Sequence, residues 1–489
     1  MRPFQNNLLT RRDALRRATL GFGSLALADL LARASIASAA DAVTAGAAGG
    51  AGSPAAARAA HFAARAKRVI YVYLDGGLSQ VDSYDYKPRL QVDDGKPLPA
   101  SIAKPKFSFA PTGHVLASPF GWQQYGRSGT WASDLFPEVN KLIDELCFVK
   151  SLYHDNEDHF TAKNMIATGS GRETRPPVGS WVSYGLGTAN ANLPAFVEIM
   201  PGVPKGTPAA FLPARHAPAA IGRPDNRSPH RSWDNLLTAE DRSQRRRVDL
   251  VRAMNAERLA RSGPDAAVEA EVQNMELAFR MQTEAPDLMS LARESEATQA
   301  MYGIGGEGTD DFGRACLMAR RFAERGVRYV TVMHSTREFG NLWDQHKDLE
   351  EGHRNNAAAV DLPIAGLLRD LRQRGMLDDT LVMCGSEFGR TPVFEFQDGA
   401  EGRNRNGRDH NPHGFTMWFA GAGVRPGFSY GATDDYGFYA VQDRVSVHDL
   451  HATVLHAMGL DHERLTYAHG GRDYRLTDVY GRVVREIFA

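Results

Sequence analysis

The chain has 489 residues, a formal net charge of −1 and a hydrophobic fraction of 43%. That length suits one large domain or two ordinary ones. With no polybasic arm, acidic tail or biased composition beyond the first residues, neither a nucleic-acid partner nor a disordered chain is expected.

The first segment, Thr10-Arg11-Arg12-Asp13-Ala14-Leu15-Arg16, has the pattern of a twin-arginine export signal, with Ala14 where an aromatic is usual. A modest apolar stretch from Ala18 to Leu31 follows. Asp29 interrupts it, and it is too short and weak for a spanning helix. Ala37-Ser38-Ala39 fits a small-residue cleavage site. Residues 1–40 are thus expected to be an address read by the twin-arginine export machinery. The mature protein is expected in the periplasm or outside the cell, with no membrane span after cleavage. Residues 41–66 are Ala/Gly-rich and read as a flexible tether, with one domain over 67–489.

Arg68 to Leu74 is a short run of β-branched and aromatic residues, read as a buried strand closed by Asp75-Gly76-Gly77. Asp134 to Leu146 has an apolar stripe at helical spacing. Cys147 to Leu152 reads as a strand, Phe160 to Ala167 as a helix stopped at Thr168-Gly169, and Leu193 to Ile199 as a strand. Residues about 233–300 are rich in Ala, Glu, Arg, Leu and Met and read as a helical insertion, with Arg245, Arg246 and Arg247 on a solvated face. A helix over Asp311–Arg325, a strand over Val327–Met333, a helix over Asn355–Arg374 and a strand over Thr380–Cys384 follow. A strand over Phe415–Ala420 and a helix over Val447–Met458 close the series. This alternation predicts an α/β fold, a mostly parallel sheet with helices on both faces. The three cysteines, Cys147, Cys316 and Cys384, lie in apolar stretches and are expected as buried free thiols. The glycines from Gly303 to Gly308 mimic a dinucleotide loop but follow a helix, so no nucleotide site is expected there.

In such sheets, sites form where strands end. Asp75 closes the first strand, with Asp82 and Asp85 just after it. His154 and His159 follow the Cys147 strand. Asp344 and His346 follow the Val327 strand, and Glu387 and Arg390 follow the Thr380 strand. Arg408, Asp409 and His410 precede the Phe415 strand. Carboxylates mixed with imidazoles suit a divalent ion such as Zn²⁺ or Mn²⁺. One or two such ions can hold a phosphate or sulfate ester, and Arg390 or Arg408 can grip an ester oxygen with two parallel bonds. His448-Asp449 reads as the cap of the helix it opens.

Four segments carry a resemblance. They are Gly76-Gly77-Leu78-Ser79-Gln80-Val81-Asp82-Ser83-Tyr84-Asp85, Trp343-Asp344-Gln345-His346, Gly385-Ser386-Glu387-Phe388-Gly389-Arg390-Thr391-Pro392 and Gly407-Arg408-Asp409-His410. Together they resemble the hallmarks of domain-of-unknown-function family 1501, placed in the alkaline phosphatase and sulfatase-like superfamily. Asp461 to Tyr467 and Gly471-Arg472-Asp473 resemble its long, planctomycete-type subgroup. The resemblance runs from about Phe62 onward and implies an alkaline phosphatase-like fold with a metal site. By that likeness Asp75 or Asp82 matches the first ligand, Asp344 and His346 the middle pair, and Asp409 and His410 the last group. Glu387 stands where an Asp followed by His is common. His159 lies near the nucleophile's place, with Thr161 two residues on. Gln80 replaces a usual His, and Ser386 a common Gly. No cysteine has the setting of a formylglycine sulfatase.

The resulting expectation is an exported metal-dependent hydrolase of phosphate or sulfate esters, acting on a small-molecule or glycan substrate. His159 would be general acid/base or nucleophile and Arg390 would assist catalysis. Asp75, Asp82, Asp344, His346, Glu387, Asp409 and His410 would hold one or two ions. The alternative is an exported binding or scaffold protein that keeps the fold without catalysis.

Overall fold

The computed structural model describes residues 57–102, 112–199, 209–222, 242–262, 276–277, 280–281, 287–288, 290–335, 342–395 and 406–489. The expected export signal lies outside the described residues. Strand β1 is Arg68–Leu74, and six of its seven residues are buried. A strand buried on both faces reads as a continuous apolar run rather than an alternating one. It is followed by β2 (Thr112–Val115), β3 (Cys147–Tyr153), β4 (Phe196–Ile199), β5 (Ala219–Ile221), β6 (Tyr329–His334) and β7 (Thr380–Gly385). Then come β8 (Gly389–Glu395), β9 (Arg408–Asn411), β10 (Phe415–Ala420), β11 (Phe428–Tyr430) and β12 (Val445–Ser446).

The main sheet runs β11-β3-β10-β7-β1-β6-β4-β5, with β12 also on β3. Its pairs are parallel except for β10, which is antiparallel to both β3 and β7. A small antiparallel sheet, β9-β8-β2, stands beside it. The principal helices are α1 (His159–Thr168), α2 (Val178–Leu186), α3 (Arg242–Ser262), α4 (Asp310–Glu324), α5 (Leu349–Gln373) and α6 (Val447–Ala457).

Alternate side chains of β1 enter opposite cores. Ile70, Val72 and Leu74 pack with Phe312 and Cys316 of α4 and Val360 and Ile364 of α5. Val69, Tyr71 and Tyr73 pack with Trp181 of α2 and Leu450 and Val454 of α6. Helices therefore cover both faces, as the alternating sequence pattern predicts. Each such buried aliphatic side chain contributes about 1.5–3 kcal/mol, and a one-residue slip would exchange the two rows. Register is thereby fixed where it matters, because β1, β6 and β7 must end together to build a site.

Several details differ from the sequence expectation. Asp134–Leu146 is not one helix but a turn at Pro137–Asn140 and a second at Ile143–Glu145. Asp361 of α5 accepts the backbone N–H groups of Glu138 (2.7 Å) and Val139 (2.8 Å), capping the first turn from outside. Helix α5 starts at Leu349, earlier than Asn355, with Glu350 and Glu351 in its first turn, where the helix dipole favours acids. The chain is also ordered before Lys67. Ala66 donates to Ala457 O (2.8 Å) and His61 to Gly459 O (2.9 Å), so the end of the expected tether is pinned beside α6. Of the expected insertion, α3 is the longest described element. All three cysteines are buried and free. Ser446 and Asp449 form a capping box at α6. Among the described residues, no helix is long and apolar enough to cross a membrane.

Candidate metal centre

Parallel β6, β1 and β7 are neighbours, so their C-terminal ends bring Ser335, Asp75 and Glu387 to one edge of the sheet. The loop after β6 returns with Asp344 and His346. Strand β9 presents His410 opposite Arg390 of β8. Helix α1 opens at this edge with His159, its start capped by Asp158, whose side chain accepts from Thr161 N.

Four side chains converge. One ligand atom from each of His159, Asp344, His346 and His410 lies within 4.8 Å of all the others. Asp344 is at the middle: Oδ1 is 2.8 Å from His346 Nε2 and 3.2 Å from His410 Nε2, and Oδ2 is 3.0 Å from His159 Nε2. The two imidazole nitrogens of His346 and His410 face each other at 3.0 Å.

Ring tautomers follow from the outer contacts. His410 Nδ1 lies 2.6 Å from the Glu157 carbonyl, which only accepts, so Nδ1 carries the proton. Burial, with Arg390 nearby, lowers this imidazole to about 4, so it is neutral at ordinary pH. Its Nε2 therefore turns a lone pair toward a carboxylate and another imidazole, an arrangement that a cation between them would relieve. His159 Nδ1 likewise donates to Glu387 Oε1 at 2.6 Å. Its buried Nε2 has no well-angled hydrogen bond, despite the nearby Asp344 oxygen. Three imidazoles and a carboxylate, with the His410 lone pair turned inward and His159 Nε2 facing Asp344, fit a divalent ion of the zinc or manganese kind.

The other expected residues stand around this cluster rather than in it. Glu387 is fully buried behind His159, and its second oxygen accepts from Tyr73 OH (2.7 Å) and Gly76 N (3.2 Å). Burial opposes its charge, but the bond and charge of His159, with Lys163 and Tyr73, hold it at about 2. It stands behind the His159 ring and is placed to orient it rather than to join the four-residue cluster. Burial and the Glu387 charge push the Tyr73 phenol well up, keeping it a donor. His154 Nε2 braces the same residue by donating to Glu387 O at 2.7 Å, since its Nδ1 accepts from Asn156 N.

Arg390 is 0% exposed and reaches no solvent. It bonds Gly76 O, Gly77 O (3.0 Å), Trp343 O (3.2 Å) and Arg408 O (3.1 Å), and holds Asp344 Oδ1 at 2.6 Å. Gly76 and Gly77 take φ of 118° and 87°, a turn that aims their carbonyls at this guanidinium. Burial opposes the Asp344 charge, but the three imidazoles and Arg390 hold the carboxyl far below the usual range. Arg390 is thus buried and bonded to Asp344 and to backbone carbonyls. Arg408 is equally buried and is spent on Asp82, with Nε to Oδ2 at 2.7 Å and Nη2 to Oδ1 at 3.1 Å. Asp82 is accordingly away from the cluster. Asp409 accepts its neighbour's backbone N–H, His410 N, at 2.7 Å and is also outside it. Asp75 instead forms an ion pair with Lys163 (2.5 Å) and accepts from Ser335 Oγ. Gln80, where the resemblance leads one to look for His, bridges Arg390 N, Arg390 O and Gly437 O, so that departure leaves the cluster intact. Phe388, in place of a second His, stacks on the His410 ring with centroids 4.4 Å apart.

A family model described as protein of unknown function (DUF1501) matches residues 66–488. The chain belongs to that family. No curated protein matches it. Solved structures to which it is similar include the PsFucS1 sulfatase from Pseudoalteromonas sp., at 13% identity and TM-score 0.32, covering 80% of this chain and 67% of that one. A TAB5 alkaline phosphatase variant with Mg bound matches at 11% identity and TM-score 0.31, covering 81% and 99%. The phosphonate monoester hydrolase SpPMH from Silicibacter pomeroyi matches at 12% identity and TM-score 0.31, covering 72% and 71%.

Proposed function

We propose that this DUF1501 protein is an exported, metal-dependent hydrolase of phosphate or sulfate esters. The observation that carries the reading is the convergence of His159, Asp344, His346 and His410, one ligand atom of each lying within 4.8 Å of the others. These four residues would hold the ion, which when bound supplies electrophilic polarisation of an ester oxygen. Glu387 keeps the proton of His159 on Nδ1, Arg390 fixes Asp344, and the Glu157 carbonyl fixes the tautomer of His410.

With both ring nitrogens facing carboxylates, His159 acts here as a holder of the ion rather than as the acid/base or nucleophile expected from its place in the sequence. Thr161 does not replace it, because its hydroxyl donates to Asp158 at the helix cap. Water is therefore the nucleophile in this reading.

Elemental analysis of protein purified without chelator tests it. Near-stoichiometric zinc or manganese is expected, lost in Asp344→Ala and His410→Ala, together with turnover in a panel of phosphate and sulfate esters. No ion after reconstitution, or unchanged content in both variants, overturns the metal centre. Metal without hydrolysis of any panel member moves the protein to the binding-protein reading.

A further inference from the structure

Helix α1 offers the site a second polar side chain. Lys163 follows His159 by four residues, and side chains at that spacing share a helix face with Cβ atoms about 5–6 Å apart. Its Nζ is 2.5 Å from Asp75 Oδ1. The other oxygen of Asp75 accepts from Ser335 Oγ. The Asp75 carbonyl accepts from Trp343 N at 3.0 Å, one residue before Asp344, so Asp75 adjoins the cluster without joining it. The Asp75 side chain is 3% exposed, and a carboxylate so buried needs a cation beside it. Lys163 supplies one. It also differs from Arg390 and Arg408, whose side chains are wholly buried, because 30% of its side chain faces solvent. An ammonium is a compact point charge with three donors. It can pair with Asp75 by charge while its exposed side faces an anion arriving from outside.

We propose that Lys163 is the built-in second cation of this site: it neutralises Asp75 beside the cluster, so the chain binds one metal ion, and its solvent side receives the anionic group of the substrate. The inference rests on the metal-centre reading above and narrows it, from one or two ions to one, with Lys163 in the gripping role first sought in Arg390 or Arg408.

The test uses the full chain loaded with excess zinc and then dialysed. Elemental analysis gives the ions per chain, and calorimetric titration with inorganic phosphate gives the affinity of the zinc-loaded protein for an anion. Wild type, Lys163→Arg and Lys163→Met are each expected to keep one ion. Lys163→Met is expected to bind phosphate about tenfold more weakly than wild type, the loss of one hydrogen bond to a charged group, whereas Lys163→Arg stays close to wild type. Two ions in the wild type overturn this inference and leave the metal centre standing. Unchanged phosphate affinity in Lys163→Met overturns it, as does loss of the one ion in that variant, which makes Lys163 a structural residue. A wild type that binds one ion but no phosphate defeats the anion-gripping role. A wild type that binds no ion defeats the metal centre itself, and this inference with it.

Discussion

Replacing Glu387 by Gln separates a residue that binds the ion from one that orients a ligand. The carboxylate accepts from three donors: His159 Nδ1 at 2.6 Å, Tyr73 OH at 2.7 Å and Gly76 N at 3.2 Å. An amide has a single acceptor oxygen. If that oxygen serves Tyr73 and Gly76, the amide nitrogen faces His159 Nδ1, which must then give up its proton. The proton moves to Nε2 and points into the cluster, where it competes with the ion. If the oxygen serves His159 instead, the amide nitrogen opposes the N–H of Gly76 in a fully buried place. Either arrangement weakens a ligand without removing it. Loss of such an orienting partner costs about 10–100-fold in metal affinity, or about 1.4–2.7 kcal/mol. Competition with a chromophoric chelator measures this directly. Asp344→Ala and His410→Ala, which delete ligands, are expected to fall further. If Glu387→Gln loses the ion as completely as Asp344→Ala, Glu387 is itself a ligand and the tautomer argument fails. Unchanged affinity refutes the orienting role.

Two further outcomes follow from the packing. In Gly407→Ala the added Cβ would lie 1.9 Å from His346 O, so the segments carrying His346 and His410 must part; overpacking of this kind costs about 1–3 kcal/mol. A lower midpoint in thermal unfolding and weaker zinc binding are expected, and wild-type values for both would refute the close approach. Glu198 of β4 is buried, and burial raises its carboxyl from 4.5 to about 7. The folded state therefore holds a proton that the unfolded state releases between those values. Stability is full below pH 4.5 and falls as pH rises to 7, by about 3 kcal/mol in all. Glu198→Gln removes that slope in urea unfolding, and a slope equal to that of wild type refutes the assignment.

The sheet was legible where composition alone decides. The β1 and β7 runs are apolar throughout because helices cover both faces, and α4 keeps its apolar period between an acidic first turn and Gly326. Direction was not legible: the apolar run of β10 says buried, but only its partners β3 and β7 reveal that it runs antiparallel. Nor was the break within Asp134–Leu146, whose apolar spacing is helical and whose first turn is capped by Asp361, more than 200 residues away. At the site, all four converging residues could be named from strand ends, but rank among them could not. Glu387 and Asp344 are chemically alike and both follow strands; only the position of His159 between them puts one inside the converging cluster and the other behind it. Arg390 looked like a substrate grip because nothing in its neighbours announces that β8 and β9 bury it. Lys163 did carry a signal, its spacing of four from His159, which a reading centred on His and acids passes over.

Gly407 shows what a motif can hide. Next to Asn406, it reads as loop punctuation before Arg408-Asp409-His410. The structure gives a different reason for it. Arg408 N donates to Gln345 O at 3.1 Å and Leu349 N to Asn406 O at 2.8 Å, lacing the loop after β6 to the start of β9. A side chain at 407 would occupy the space of the His346 carbonyl between those two bonds. The loop that carries Asp344 and His346 is thus held against the strand that carries His410, and the candidate metal centre lies on that seam. Glycine is needed there because two backbones must touch for four side chains to meet.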